Sequence, residues 1–122
     1  MPSFTIKERT TATIAFSLVD EAEAAIPLSS LLTLTLTVKD MASGTVVNGR
    51  NAQDIKNANG VTVDSSGNVT WPLTQLDTAL VNAPAIHELH RALVDFTYDA
   101  SGFTKRFYQD FEIAIQAEAW VP

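Results

Sequence analysis

The sequence predicts an all-β protein: an antiparallel β-sandwich of about seven strands with one short helix. Three observations carry this. Apolar and polar residues alternate with period two over several segments, short strands are separated by Gly, Asn and Asp turn signals, and two long C-terminal strands can be laid against each other. At 122 residues, 46% of them apolar, the chain fits one core, and residues 1–122 are read as a single domain with residues 117–122 a candidate docking tail.

The elements follow in order. Phe4 to Lys7 forms an N-terminal piece that pairs with a neighbour. Ala12, Ile14, Phe16 and Leu18 alternate with polar and small residues, giving a strand with one buried face. Asp20 to Pro27 reads as a loop. Leu32, Leu34, Leu36 and Val38 then point one way and Thr33, Thr35 and Thr37 the other, threonine suiting a solvated strand face. Thr45-Val46-Val47 is a short strand between turns, and Asn51 to Ala58 a helical turn or irregular loop. Val61-Thr62-Val63 and Asn68 to Trp71 flank the hairpin turn Asp64-Ser65-Ser66-Gly67, and Pro72 ends or edges the strand. Thr74 followed by Asp77 looks like a capping box and predicts one short helix, Gln75 to Leu80, before Asn82-Ala83-Pro84 stops it.

In the C-terminal third, a four-residue turn at Asp99-Ala100-Ser101-Gly102 sets Tyr98 opposite Phe103. The ladder then pairs Val94 with Phe107, His90 with Phe111, Glu88 with Ile113 and Ile86 with Ile115. On the other face Asp95 meets Arg106, Leu93 meets Tyr108 and Arg91 meets Asp110, with Leu89 two residues further along. Opposite charges directly across a ladder support that register. One face is core-like despite Glu88 and His90; the other presents Leu89, Leu93 and Tyr108 within a rim of Arg91, Asp95, Arg106 and Asp110, the pattern of a protein contact. Trp120 joins these as a candidate interface residue. The layer arrangement is that of an immunoglobulin-like sandwich, without the cysteines of antibody domains.

Chemistry is sparse. The absence of cysteine excludes disulfides and thiolate chemistry, and eight basic against 14 acidic residues give a net charge of −6, which disfavours nucleic acid as a partner. No secretory signal or bilayer-length apolar run appears, so a chain without membrane partners is expected. His87 and His90 are the only histidines and face opposite sides of one strand, so neither a metal site nor a cofactor is expected. No nucleophile elbow or phosphate-cradling glycine loop is present, and the chain is read as non-enzymatic. An exposed Trp71 beside Tyr98 would instead stack on a sugar ring, the alternative reading as a carbohydrate-binding module.

The stretch Gly67-Asn68-Val69-Thr70-Trp71-Pro72-Leu73-Thr74-Gln75-Leu76-Asp77-Thr78, followed by His87-Glu88-Leu89-His90, Phe96-Thr97-Tyr98 and Ser101-Gly102, resembles small immunoglobulin-like modules of tailed-phage virion proteins. Within that group it resembles the N-terminal domains of baseplate upper proteins and related tail or fibre adaptors. The likeness spans roughly residues 61–116 and departs where Asn82-Ala83-Pro84-Ala85 replaces an introducing glycine. It implies a structural adaptor made in the host cytoplasm and carried in the virion, with other virion proteins as partners and copies of itself in a ring or trimer. It implies no catalytic residue.

Overall fold

The computed structural model describes residues 3–82 and 87–117. Among the described residues eight strands form two sheets: β1 (Ser3–Lys7), β2 (Ala12–Ser17), β3 (Leu31–Asp40), β4 (Gln53–Asp54), β5 (Thr62–Val63), β6 (Asn68–Leu73), β7 (His87–Ala100) and β8 (Phe103–Gln116). The larger sheet has the order β1-β8-β7-β3-β4 and the smaller β2-β6-β5. All neighbours are antiparallel except β1, which lies parallel to β8 within its own chain. The fold is therefore an all-β two-sheet sandwich.

Alternation places the core where the sequence put it. Leu34, Leu36 and Val38 on β3, Val94 and Phe96 on β7 and Phe111, Ile113 and Ile115 on β8 turn inward with Ile14, Val69 and Trp71 of the smaller sheet. Phe16 and Phe111 meet across the sandwich with ring centroids 4.7 Å apart. Ile86 lies outside the described residues.

Four local expectations need correction. Leu32 is exposed, because a register irregularity between Leu31 and Thr33 inserts it as an extra residue and turns Leu31 inward instead. Thr45-Val46-Val47 contributes an isolated bridge, Lys39 to Val46, rather than a strand, while Gln53–Asp54 within the expected helical turn or loop adds the edge strand β4. Pro72 stays inside β6, opposite Thr13; β5 pairs only with Val69 and Thr70, so the proline's missing N–H interrupts no ladder there. Finally, residues 75–78 form a turn and not a helix; the helix among the described residues is a 3-10 turn at Leu28–Ser30. The capping bonds do form, since the Thr74 N–H and hydroxyl both donate to Asp77 Oδ2, yet the carboxylate is simultaneously held by Arg50 and the chain leaves after one turn.

The β7–β8 register is also offset by two residues. Ala100 pairs with Phe103, Phe96 with Phe107, His90 with Ile113 and Glu88 with Ile115. Ser101 and Gly102 both have positive φ, at 52° and 86°, so they form a two-residue loop of the type whose twist matches a hairpin. A four-residue turn was the wrong reading because serine supplied the first positive φ. A slip of two leaves every side chain on its face, so the core assignment survives.

The expected Asp64–Gly67 turn is present, with Gly67 N–H donating to Asp64 O and Asp64 Oδ1 accepting from the N–H groups of Ser66 and Asn68. Gly67 has φ +83°, and a Cβ there would sit 2.0 Å from the Ile26 carbonyl oxygen. Replacing Gly67 by Ala is therefore expected to cost more than about 1 kcal/mol, because it strains the backbone and pushes the 20–27 loop off β6. Urea unfolding measures this; an unchanged midpoint would show that the loop yields freely.

Candidate functional site

Three places concentrate polar chemistry. The first is a buried ion pair. Arg50 follows the Asn48-Gly49 turn, and Val38 N–H donates to its carbonyl, fixing its backbone against β3. Its guanidinium reaches Asp77 with Nε to Oδ1 at 2.6 Å and Nη2 to Oδ2 at 3.1 Å, a bidentate contact with both side chains about 95% buried or more. Asn48 Nδ2 donates to Asp77 Oδ1, Arg50 Nη1 donates to Gln53, and the guanidinium lies 5.5 Å from the centre of the Trp71 ring. Burial alone would raise the Asp77 carboxyl, but the hydrogen bonds from Arg50, Asn48 and the Thr74 N–H, with Arg50's charge, outweigh it and hold it below the ordinary value. Trp71 is 1% exposed and Tyr98 is buried with its hydroxyl donating to Glu21, so the two do not form the exposed sugar platform.

A second group gathers at the end of β3 and the start of β7. Glu88 accepts from the N–H groups of Val81 and Asn82 and contacts His90 Nε2 at 2.8 Å. Asp40, directly opposite His90 on the neighbouring strand, accepts from Ser43 N–H, the Ser43 hydroxyl and Asn82 Nδ2. Burial pushes the Asp40 carboxyl up, and these bonds, with His90 nearby, bring it below the usual carboxylate range. Asp40, Ser43, Asn82 and Glu88 line a surface cleft of about 640 Å³. Spacing along β7 reveals only Glu88 and His90. Asp40 arrives across the sheet, although its place after Leu34, Leu36 and Val38 on the inward parity was a readable signal.

The third is the outer face of the larger sheet, where the expected contact residues lie. The register sets Asp95 opposite Tyr108, Leu93 opposite Asp110 and Arg91 opposite Glu112, so the directly facing pairs expected from sequence are corrected. Each becomes a diagonal pair with the same offset. Arg91 still binds Asp110, with Nη2 to Oδ2 at 2.7 Å, and Arg106 binds Asp95 through both Nε and Nη2. The Arg106 bonds and charge keep the Asp95 carboxyl below its ordinary value despite partial burial. Leu93 and Tyr108 occupy the intervening diagonal; Leu93 is half-buried and Tyr108 57% exposed. Leu89, 40% exposed, faces Ala114 and sits about 13 Å along the strand from Leu93 at about 3.3 Å per residue, so it stands apart from the pair. The 51–58 segment extends the β3 edge through β4. Trp120 and the rest of the proposed tail beyond Ala117 lie outside the described residues.

No family model matches the chain, and neither a curated protein nor a solved structure does.

Replacing Arg50 by Met should cost about 3–5 kcal/mol, because it strands a buried carboxylate. The Asp77 carboxyl is depressed in the folded state, so the stability it contributes is present above the unfolded aspartate value of about 3.9 and is lost as pH falls through the lower folded value. Asp77→Asn should accordingly flatten the acid limb of a stability-against-pH curve measured by urea unfolding. Equal slopes below pH about 4 for variant and parent would show that Asp77 is not depressed.

Proposed function

We propose that the chain is a non-enzymatic structural or adaptor component of a tailed-phage virion, an immunoglobulin-like sandwich that assembles through protein–protein contacts. The sequence resemblance over residues 61–116 supplies the virion setting. The observation that carries the contact role is the outer face of the larger sheet: Leu93 and Tyr108 on one diagonal, bracketed by Arg91–Asp110 and Asp95–Arg106. An apolar centre within a charged rim excludes water at the middle of a contact and fixes orientation at its edge. Tyrosine suits the centre because it brings large area at low rotamer cost and a polar tip. Exposed ion pairs of this kind contribute little to folding, about 0.2–1 kcal/mol each, so a recognition role accounts for them better than stability does.

The partners in this reading are other virion proteins and symmetric copies of the chain in a ring or trimer. Tyr108→Thr and Leu93→Asp should each lower the native mass of the assembly. The Tyr108 variant should keep the parent's thermal midpoint, since that side chain is largely exposed. Native mass spectrometry with thermal unfolding decides it. A parent protein that stays monomeric at high micromolar concentration, or a Tyr108 variant of unchanged mass, overturns self-association through this face.

A further inference from the structure

We propose that Asp40, Glu88 and His90 form a binding site for one divalent transition-metal cation of the Zn²⁺ class. This is independent of the docking role assigned to the outer face. One candidate ligand atom from each residue lies within 4.8 Å of the others, and all three residues are buried. Metal–ligand bonds of about 2.0–2.2 Å place ligand atoms roughly 3–4 Å apart, so small side-chain rotations close the site. One imidazole and two carboxylates suit Zn²⁺, Co²⁺, Mn²⁺ or Fe²⁺.

Three further observations point to a ligand. His90 is fully buried, and its Nδ1 has no hydrogen-bond partner while Nε2 meets Glu88, so one ring nitrogen can act as a ligand without giving up a hydrogen bond. Among the described residues no Lys or Arg is ion-paired with Asp40 or Glu88, in contrast with Asp77, which has Arg50. Their nearby basic group is His90, which if protonated would balance one of the two buried carboxylates, whereas a divalent cation balances both. Thirdly, the outer shell is already built. Ser43 and Asn82 orient Asp40, and the N–H groups of Val81 and Asn82 orient Glu88. The cleft lined by Asp40, Ser43, Asn82, His87 and Glu88 reaches two of the three ligands and gives an entry path with room for water to complete the coordination.

The test uses the EDTA-stripped chain with ZnCl₂ in calorimetric titration, and CoCl₂ for its visible absorption. One equivalent should bind, raise the thermal midpoint and shift the His90 ring nitrogens in a long-range proton–nitrogen NMR spectrum far more than those of His87, which lines the cleft without being a ligand. Asp40→Asn should weaken binding by at least about tenfold, and His87→Ala should leave it intact. If Asp40→Asn does not fold, the His90 shift in the parent protein decides. The proposal is overturned if the stripped parent takes up no Zn²⁺ or Co²⁺ at millimolar metal, if only His87 shifts, or if Asp40→Asn folds and binds like the parent.

Discussion

The Arg50–Asp77 ion pair is the contact on which the two sheets depend. Arg50 is anchored to β3 of the larger sheet through its own carbonyl, and Asp77 closes the turn that follows β6 of the smaller one. The bidentate bond therefore ties the layers together over the indole of Trp71. Neither partner is dispensable once both are buried, because an unpaired charge in that position costs more than the pair contributes. The same turn reaches the start of the chain: Thr78 donates its hydroxyl to Thr10 O and accepts at its carbonyl from Arg9 N–H. One ion pair thus organises the β1–β2 connection, the end of β6 and the edge beside β3.

Glu88 plays a comparable part a few residues on. Between β6 and β7 the described residues 74–82 make no ladder, and the N–H groups of Val81 and Asn82 find their acceptor in that side chain. Buried acids therefore do for this excursion what strand pairing does elsewhere. The outer-face pairs belong to a different regime. Arg91–Asp110 and Asp95–Arg106 are open to solvent, screened by salt, and weakly coupled to folding.

The alternating threonines of β3 and the inward parity of β7 and β8 were legible, since period two is a local property that tertiary contacts did not override. The Arg91–Asp110 and Asp95–Arg106 contacts were legible as pairs but not as a register, because long side chains reach a diagonal neighbour as readily as a facing one. Charge complementarity alone therefore could not separate two ladders differing by two residues; the φ values of Ser101 and Gly102 do. The helix expected after Thr74 failed for a related reason. Reciprocal Thr–Asp bonding closes a turn whether or not helix follows, and the competing hold on Asp77 comes from Arg50, a residue remote in sequence. Asp40 joining Glu88 and His90 was hidden in the same way, although an acid at a core-parity position was its trace.

The parallel pairing of β1 with β8 carries a consequence for how the molecule assembles. Its partners lie about a hundred residues apart, so closing that contact is entropically the most demanding step in the larger sheet. The β7–β8 ladder, by contrast, zips outward from a two-residue turn, a process that in isolated hairpins takes about 1–10 μs. During synthesis the first strand emerges long before the strand it needs, and Phe4 and Ile6 have no place to pack until Ile113 and Ile115 are made. Of the strands described, β1 is thus made first and yet cannot take its place at the sheet edge until β8 has followed it.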